Sequence, residues 1–467
     1  MQVTVDTPEH TEPVVREVFT LTREALGPDL VGLHLAEAHE LLTALQEVLV
    51  PTQISEALAE RRCCAQCGRA YRHKDTKKIT LRTLFGTIDV DSPRWLSCPC
   101  HSAASASFSP LATLLAEHAT PELVYLQARF AAVMSYAQAG ALLGEILPLG
   151  RTLHPSGVRA QLHQVATRLE AELGAEDTAG VGGCPRDWDA LPRPDMPLTV
   201  GLDGGYVHSA AQTSRKDGWF EVIAGKSMPT DGEAKCFAFV QKIETKPRRR
   251  LFEVLCAQGM AANQSITFLT DGGEDIRHLP LYLYPQAEHY LDWFHITMRI
   301  TVMMNTAKSL PAPAEDEAEG YVDRDQVAKD LERLKWLLWH GNTFRADQVL
   351  SWLEDDLDSE DPGETQRKLA KYLNEFAGYI RANTAWIPNY GERHRCGEAI
   401  SSAFVESTVN QVVSKRMVKK QQMRWSPTGA QLFLQVRTQV LNNDLTTHFK
   451  RWYPGFTHHS GPVELAA

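Results

Sequence analysis

Two aspartates each end an apolar, β-prone run and are followed by paired glycines: Val200-Gly-Leu-Asp203-Gly204-Gly205 and Phe268-Leu-Thr-Asp271-Gly272-Gly273. A carboxylate entering a buried strand needs a partner, and a divalent cation is the usual one. Read alone, Asp203-Gly204-Gly205 also fits a hairpin turn. A third carboxylate, Glu406, borders the apolar stripe Val405, Val409, Val412 of a helical stretch over 400–420, with Asn410 one turn on. Glu398 is the alternative, and Glu274 or Asp275 more distant ones. Three such carboxylates could hold two magnesium ions, or manganese, for phosphodiester chemistry.

A second constellation is made of cysteines. Cys63-Cys64-x-x-Cys67 and Cys98-x-Cys100-His101 flank an alternating stretch, Ile79 to Val90, with Gly86 at its turn. Two short thiol pairs separated by a β-hairpin are the arrangement of a zinc ribbon, and four thiolates suit tetrahedral zinc. The expected ligands are Cys64, Cys67, Cys98 and Cys100, with Cys63 and His101 as spare donors. No ligand position looks open, so the zinc is expected to be structural. Arg61, Arg62, Arg69, Arg72, Lys74, Lys77 and Lys78 surround this knuckle. Such a run suits phosphate contacts, and a solvated basic face would look the same.

The elements that must position these groups follow from length and patterning. At 467 residues the chain exceeds one ordinary core. A hydrophobic content of 43% marks it as folded, and a net charge of −10 argues on its face against nucleic acid. The charge is uneven, however. Acid collects in Glu315–Glu319 and Glu354–Asp358, and base in 61–78, 246–250 and 415–420. Local patches set the field that a phosphate feels. No run is apolar and long enough to cross a bilayer, and residues 1–10 show no signal pattern. A cytoplasmic protein with reduced cysteines is expected.

Residues 1–60 read as an N-terminal helical region, and 61–105 as the ribbon. A helical region over 106–179 carries a Thr120-Pro121 helix start, a Ser135/Gln138 capping box and a third helix with the stripe Val158, Leu162, Val165, Leu169. Its spacing fits a helix-turn-helix with Arg159, Gln161, His163 and Arg168 facing DNA, or a plain bundle. Residues 180–197, rich in Gly, Pro and Asp, form a linker. Strands at 198–209, 219–224 and 236–243, a helix over 250–259, a strand over 265–273, a short amphipathic segment and a last strand within 287–295 follow. That order is the order of an α/β, RNase H-like mixed sheet, in which the strands bearing Asp203 and Asp271 are neighbours. The first part of this domain spans 198–310, an all-α insertion 311–396, the second part 397–445 and a tail 446–467. Trp336, Trp339 and Trp352 of the insertion are expected in its core.

Together these segments resemble the DDE transposases of bacterial insertion sequences, most of all the ISKra-type group. The resemblance rests on Val200–Gly205, Leu269–Gly273, Leu291-Asp292-Trp-Phe-His295 and Ile400–Asn410, with weaker likeness in Thr120–Leu123, Ser135-Tyr136, Thr83–Gly86 and Lys415–Ala430. It covers roughly residues 60–445. The Asp292…His295 pair is similar to the DxxH element of Mutator-like and hAT-like transposases. The resemblance implies Asp203, Asp271 and Glu406 as the metal-binding triad of an enzyme that cuts transposon ends and joins their 3′-hydroxyls to target DNA. His295 would place a phosphate or the scissile strand, or else hydrogen-bond Asp292. Lys415, Arg416, Lys419 and Lys420, with Arg159, Arg168, Arg248 and Arg249, are the expected DNA contacts. The partners implied are double-stranded DNA, as terminal inverted repeats and target, and further copies of the chain on that DNA, in a bacterial nucleoid. An RNase H-like nuclease or resolvase without strand transfer, and an inactive zinc-ribbon regulator, are the alternatives. A glycoside hydrolase would leave the knuckle and the basic clusters unexplained.

Overall fold

The structure, a computed structural model, describes residues 2–5, 14–23, 27–100, 107–176, 186–187, 190–192, 198–210, 218–229, 232–273, 287–311, 322–359, 362–418 and 424–457. The protein is mixed α/β and divides into two compact units, residues 1–168 with 443–467, and residues 169–442. No described helix is long and apolar enough to cross a membrane.

In the first unit β1 (Gln2–Val5) and β2 (Val14–Glu17) pair antiparallel, so the N-terminal region is not wholly helical as expected; both are short runs rich in β-branched valine. α1 (Leu35–Glu60) follows, held at its start by the Arg23–Glu37 ion pair at 2.6 Å. β3 (His73–Thr83) and β4 (Gly86–Leu96) form the expected hairpin, turning at Leu84-Phe85, and the short β5 (Ser107–Phe108) pairs with β4. Val50 and Ile54 of α1 pack on Leu81, Ile88 and Val90 of the hairpin. After α2 (Pro110–Leu114) come α3 (Pro121–Val133), α4 (Tyr136–Ile146) and α5 (Pro155–Glu172). The Ser135/Gln138 capping box is present, whereas the Thr120 side chain makes no cap bond. Val158, Leu162, Val165 and Leu169 are buried as their spacing requires.

The expected tail begins instead as a packed helix, Leu445–Trp452, because Leu445 and Phe449 stand one turn apart and bury one face. Phe449 meets the Tyr125 ring at 5.2 Å, and the Tyr125 hydroxyl lies 2.9 Å from Thr446 Oγ1. Residues 458–467 lie outside the described residues.

The second unit is built on five strands: β6 (Leu198–His208), β7 (Trp219–Pro229), β8 (Lys235–Val240), β9 (Ile266–Thr270) and β10 (Glu288–Leu291), with α6 (Pro247–Ala257) between β8 and β9. Their order is β10-β9-β6-β7-β8. β6, β7 and β8 are antiparallel neighbours, while β9 and β10 add in parallel on the other side of β6. One face, with Val200, Leu202, Ile223 and Phe268, packs on Leu251 and Leu255 of α6.

The helical part follows as α7 (Trp293–Ala307), α8 (Arg324–Trp339), α9 (Thr343–Leu357), α10 (Glu364–Ala382) and α11 (Tyr390–Arg395). Its core draws on all five and on Leu291 of β10. Trp339 packs there, with Trp293 at 5.0 Å. Trp336 and Trp352, expected in the core, are half-exposed instead: on α8 the inward stripe is Val327, Leu331, Leu334, Leu338, and Trp336 falls on the opposite side.

The chain then returns to the sheet as α12 (Ala403–Val409), which runs on into a π-helical segment, Asn410–Val418, and α13 (Pro427–Leu441). The buried Arg437 of α13 donates from Nε to the Val412 carbonyl at 2.7 Å and from its other arm to the Gln411 carbonyl, both within this segment. Burial lowers the Arg437 pKa to about 10, with the neighbouring Arg416 adding to the effect.

Candidate active site and metal centre

Asp203 is not in a turn. β6 continues straight through Gly204-Gly205, which removes the hairpin alternative. Pleating puts Gly201, Asp203 and Gly205 on one face of the strand. That face carries α12, since a Cβ on Gly201 would lie 2.0 Å from Val405 and one on Gly205 3.0 Å from Val409. Glu406 therefore rides on the helix that covers the Asp203 side of the sheet.

The parallel register aligns the other carboxylates. Leu202 pairs with Thr270, and Thr270 with Leu291. The next residue on each strand is an aspartate, so Asp203, Asp271 and Asp292 stand at one level across three adjacent strands. The Asp292 N–H extends the ladder to the Thr270 carbonyl at 2.9 Å. Burial pushes the Asp203 carboxyl above its ordinary range, and Asp271 and Asp292 push the same way, against the pull of the His295 imidazole and the Gly204 N–H. A cation placed there would reverse that balance by favouring the charged form.

The loop after Asp271 is tightly specified. The Gly273 N–H donates to Asp271 Oδ1 at 3.0 Å, and the Gly272 N–H to Thr270 Oγ1 at 3.2 Å. Gly272 has φ +86°, and a Cβ there would come within 2.6 Å of Asn383 Oδ1 and 2.7 Å of Leu291. Only glycine fits both the conformation and the space.

Asp292 has a different task from the other two. It is fully buried and accepts hydrogen bonds from the Phe294 N–H at 2.9 Å, the Ser402 N–H at 3.0 Å and the Ser402 hydroxyl. Ser402 is the N-cap of α12. Asp292 thus ties the end of β10 to the start of the helix that carries Glu406, a positioning role. His295 Nε2 lies 3.6 Å from Asp292 Oδ2 and stays partly open. Ser402→Ala is expected to lower stability by about 1.5–3 kcal/mol, the usual worth of a hydrogen bond to a charged group. An unchanged denaturant melt would mean that the Ser402 N–H alone holds the helix.

Glu406 is exposed on α12 and does not converge with the aspartates: among the described residues the one group of three or more ligand atoms within 4.8 Å of one another is the cysteine cluster. Glu398 is bound to Arg393 at 2.6 Å. Glu274 and Asp275 lie outside the described residues.

The expected DNA contacts divide. Lys415 and Arg159 are exposed, and Lys419 and Lys420 lie outside the described residues. Arg416 is 1% exposed, with its guanidinium 5.0 Å from the Phe433 ring centre and 5.4 Å from that of Trp425, so it is a core residue here and not a phosphate contact. Arg168 stacks on Trp452 at 4.3 Å and donates to the Tyr453 hydroxyl, so it is engaged within its own unit. Arg248 lies 3.9 Å from Glu176, and Arg249 is paired with Glu253. The pattern of basic residues alone could not separate these buried and paired cations from free ones. Three residues escaped sequence reasoning: Ser402 and Arg299 close to the aspartates, and Arg437 beside the π-helical segment. Arg299 is exposed one helical turn beyond His295 on α7, and that i,i+4 spacing was a readable signal.

The four ribbon cysteines do converge. Sγ of Cys64 and Cys100 are 3.4 Å apart, Cys67 and Cys98 3.3 Å, and Cys98 and Cys100 3.3 Å. A tetrahedral zinc with bonds of about 2.3 Å needs sulfurs about 3.8 Å apart, so the set fits a structural metal such as zinc with a small expansion. Backbone N–H groups of Cys67 and Gln66 lower the Cys64 pKa to about 5, which readies a thiolate. Gly68, at φ +68°, closes the knuckle by donating to the Cys64 carbonyl. Cys63 stays outside the cluster, and His101 lies outside the described residues. All seven basic residues of the ribbon, from Arg61 to Lys78, are exposed.

Comparison with protein-family models found no match, and neither did comparison with curated proteins.

Proposed function

We propose that the chain is a DDE-type transposase that cuts transposon-end DNA and joins the freed 3′-hydroxyl to target DNA on an RNase H-like sheet. The observation that carries this reading is the alignment of Asp203 and Asp271 on adjacent parallel strands, on the face covered by the helix bearing Glu406. The strand order, three antiparallel strands with two parallel ones added beside the first, is the order expected of that fold and supports it.

Asp203 and Asp271 would hold the catalytic magnesium, and Glu406 would complete the set once α12 or its side chain turns inward. The metal supplies acidification of a water or 3′-hydroxyl and offsets charge on phosphorus. Asp292 keeps α12 at the site, the Gly273 N–H holds the Asp271 carboxylate, and Gly272 makes the turn that brings it there. His295 and Arg299 stand one turn apart on α7, Arg299 with its guanidinium 4.3 Å from the Tyr379 ring centre, and the two would offer a phosphate its cationic partners. The exposed basic ribbon suits backbone contacts on inverted repeats, which set register without reading sequence.

The test is strand transfer by full-length protein with labelled end DNA, a target plasmid and magnesium. Asp203→Ala and Asp271→Ala should each lose about 10³-fold or more, the size of other charge-stabilising groups in phosphoryl transfer. Glu406→Ala should do the same. Cleavage without joining would make the chain a nuclease. Binding without chemistry in magnesium or manganese would leave the regulator.

A further inference from the structure

The helical part exposes three large aromatic side chains on one helical hairpin. Trp336 of α8 is 51% exposed, Phe344 at the start of α9 74%, and Trp352 50%. The Arg333 guanidinium lies 5.6 Å from the Trp352 ring centre and joins the outer sides of α8 and α9 into one surface. Tryptophan and arginine on such a surface are what protein interfaces concentrate at their centres.

The charges along α9 say what would cover it. Its exposed stripe runs Phe344, Arg345, Gln348, Trp352, Asp355, Asp356. The first turn holds no acid and the last no base. That is the reverse of what a helix dipole favours, with Arg345 at the amino end and two aspartates at the carboxyl end. A second α9 laid antiparallel repairs both ends at once: each Arg345 meets the other copy's Asp355 and Asp356, and Gln348 and Trp352 flank the two-fold axis.

We propose that this face of α8 and α9 is a self-association surface for a second copy of this chain, an isologous contact with α9 antiparallel to α9. It does not rest on the strand-transfer reading and requires no DNA.

The experiment is sedimentation of the full-length chain over a range of concentrations, without DNA. The wild type should form a dimer. Trp352→Ala should raise the dissociation constant about tenfold or more, as loss of a central aromatic does. Arg345→Asp alone, and Asp355→Arg with Asp356→Arg, should each weaken the dimer, and all three changes together should restore it. The restoring combination separates an interface from a folding defect and decides the matter if Trp352→Ala misfolds. A wild type that stays monomeric to its solubility limit overturns the proposal. So does a dimer indifferent to these changes, or a Trp352→Ala variant that loses DNA binding at unchanged mass.

Discussion

Removing metal from the protein is expected to unfold the cysteine ribbon. Its hairpin has a small core: Leu81, Ile88 and Val90 against Val50 and Ile54 of α1 and Leu111 of α2, with Trp95 beside Tyr71. Cys64 and Cys98 are buried within a few ångströms of two further sulfurs. Without a cation, thiolates so close repel one another, and protonating them gives up the metal's contribution. Structural zinc contributes about 10–16 kcal/mol in small four-ligand sites. Whole domains have only about 5–15 kcal/mol. The metal is therefore expected to be the largest single contribution to holding the ribbon. Elemental analysis should find one zinc per chain, and a chelator should abolish amide-exchange protection across His73–Leu96. Cys67→Ser should do likewise while leaving the five-stranded sheet protected. Reduced protein that carries no metal yet keeps that protection would end the zinc assignment.

The ribbon was legible because its signal is local: thiol pairs at short spacing and a strand alternation around one turn. The sheet was legible for a similar reason. Apolar runs ending in Asp203 and Asp271 mark two neighbouring strands, whereas Asp292 follows the mixed run Glu288-His289-Tyr290-Leu291 and its place level with them comes from the β9–β10 register. Other features are set by contacts distant in sequence. Asp292 reads as a catalytic candidate, yet its partner Ser402 lies 110 residues on, and that bond makes it an anchor. Arg416 sits in a basic run, but Trp425 and Phe433 bury it. Arg437 donates to two carbonyls of the π-helical stretch, a contact that its own helix gives no sign of. Trp336 and Trp352 have the spacing of core residues, and only the direction of the leucine stripes decides which side they occupy.

Gly201→Ala is expected to damage activity more than its size suggests. The new Cβ would lie 2.0 Å from Val405 Cγ2 and 3.1 Å from the Phe404 ring. Both neighbours are on α12, and β6 cannot yield because it is paired on both sides, with β7 and β9. The helix must move. Overpacking of this kind costs about 1–3 kcal/mol, which the fold should survive. The displacement, however, falls on the element that carries Glu406, and a shift of about 1 Å in such an element can cost about 10²-fold in rate. Strand transfer should therefore fall by about that factor while the thermal midpoint drops by only several degrees, about 2–4 °C per kcal/mol. Val405→Ala removes the γ-methyls that the new Cβ strikes, so Gly201→Ala with Val405→Ala should regain most of the loss, the non-additivity expected of residues in contact. Gly204→Ala is the control. Its Cβ faces the other side of β6, where the nearest atoms belong to the end of the Glu221 side chain, the closest at 2.6 Å, and a long side chain yields without moving α12, so the variant should stay near wild type. If Gly201→Ala and Gly204→Ala were equally harmful, strand geometry and not the seat of α12 would be what the glycines protect. If Val405→Ala failed to rescue, the helix would not be the element through which Gly201 acts, and Glu406 would lose its claim to the site.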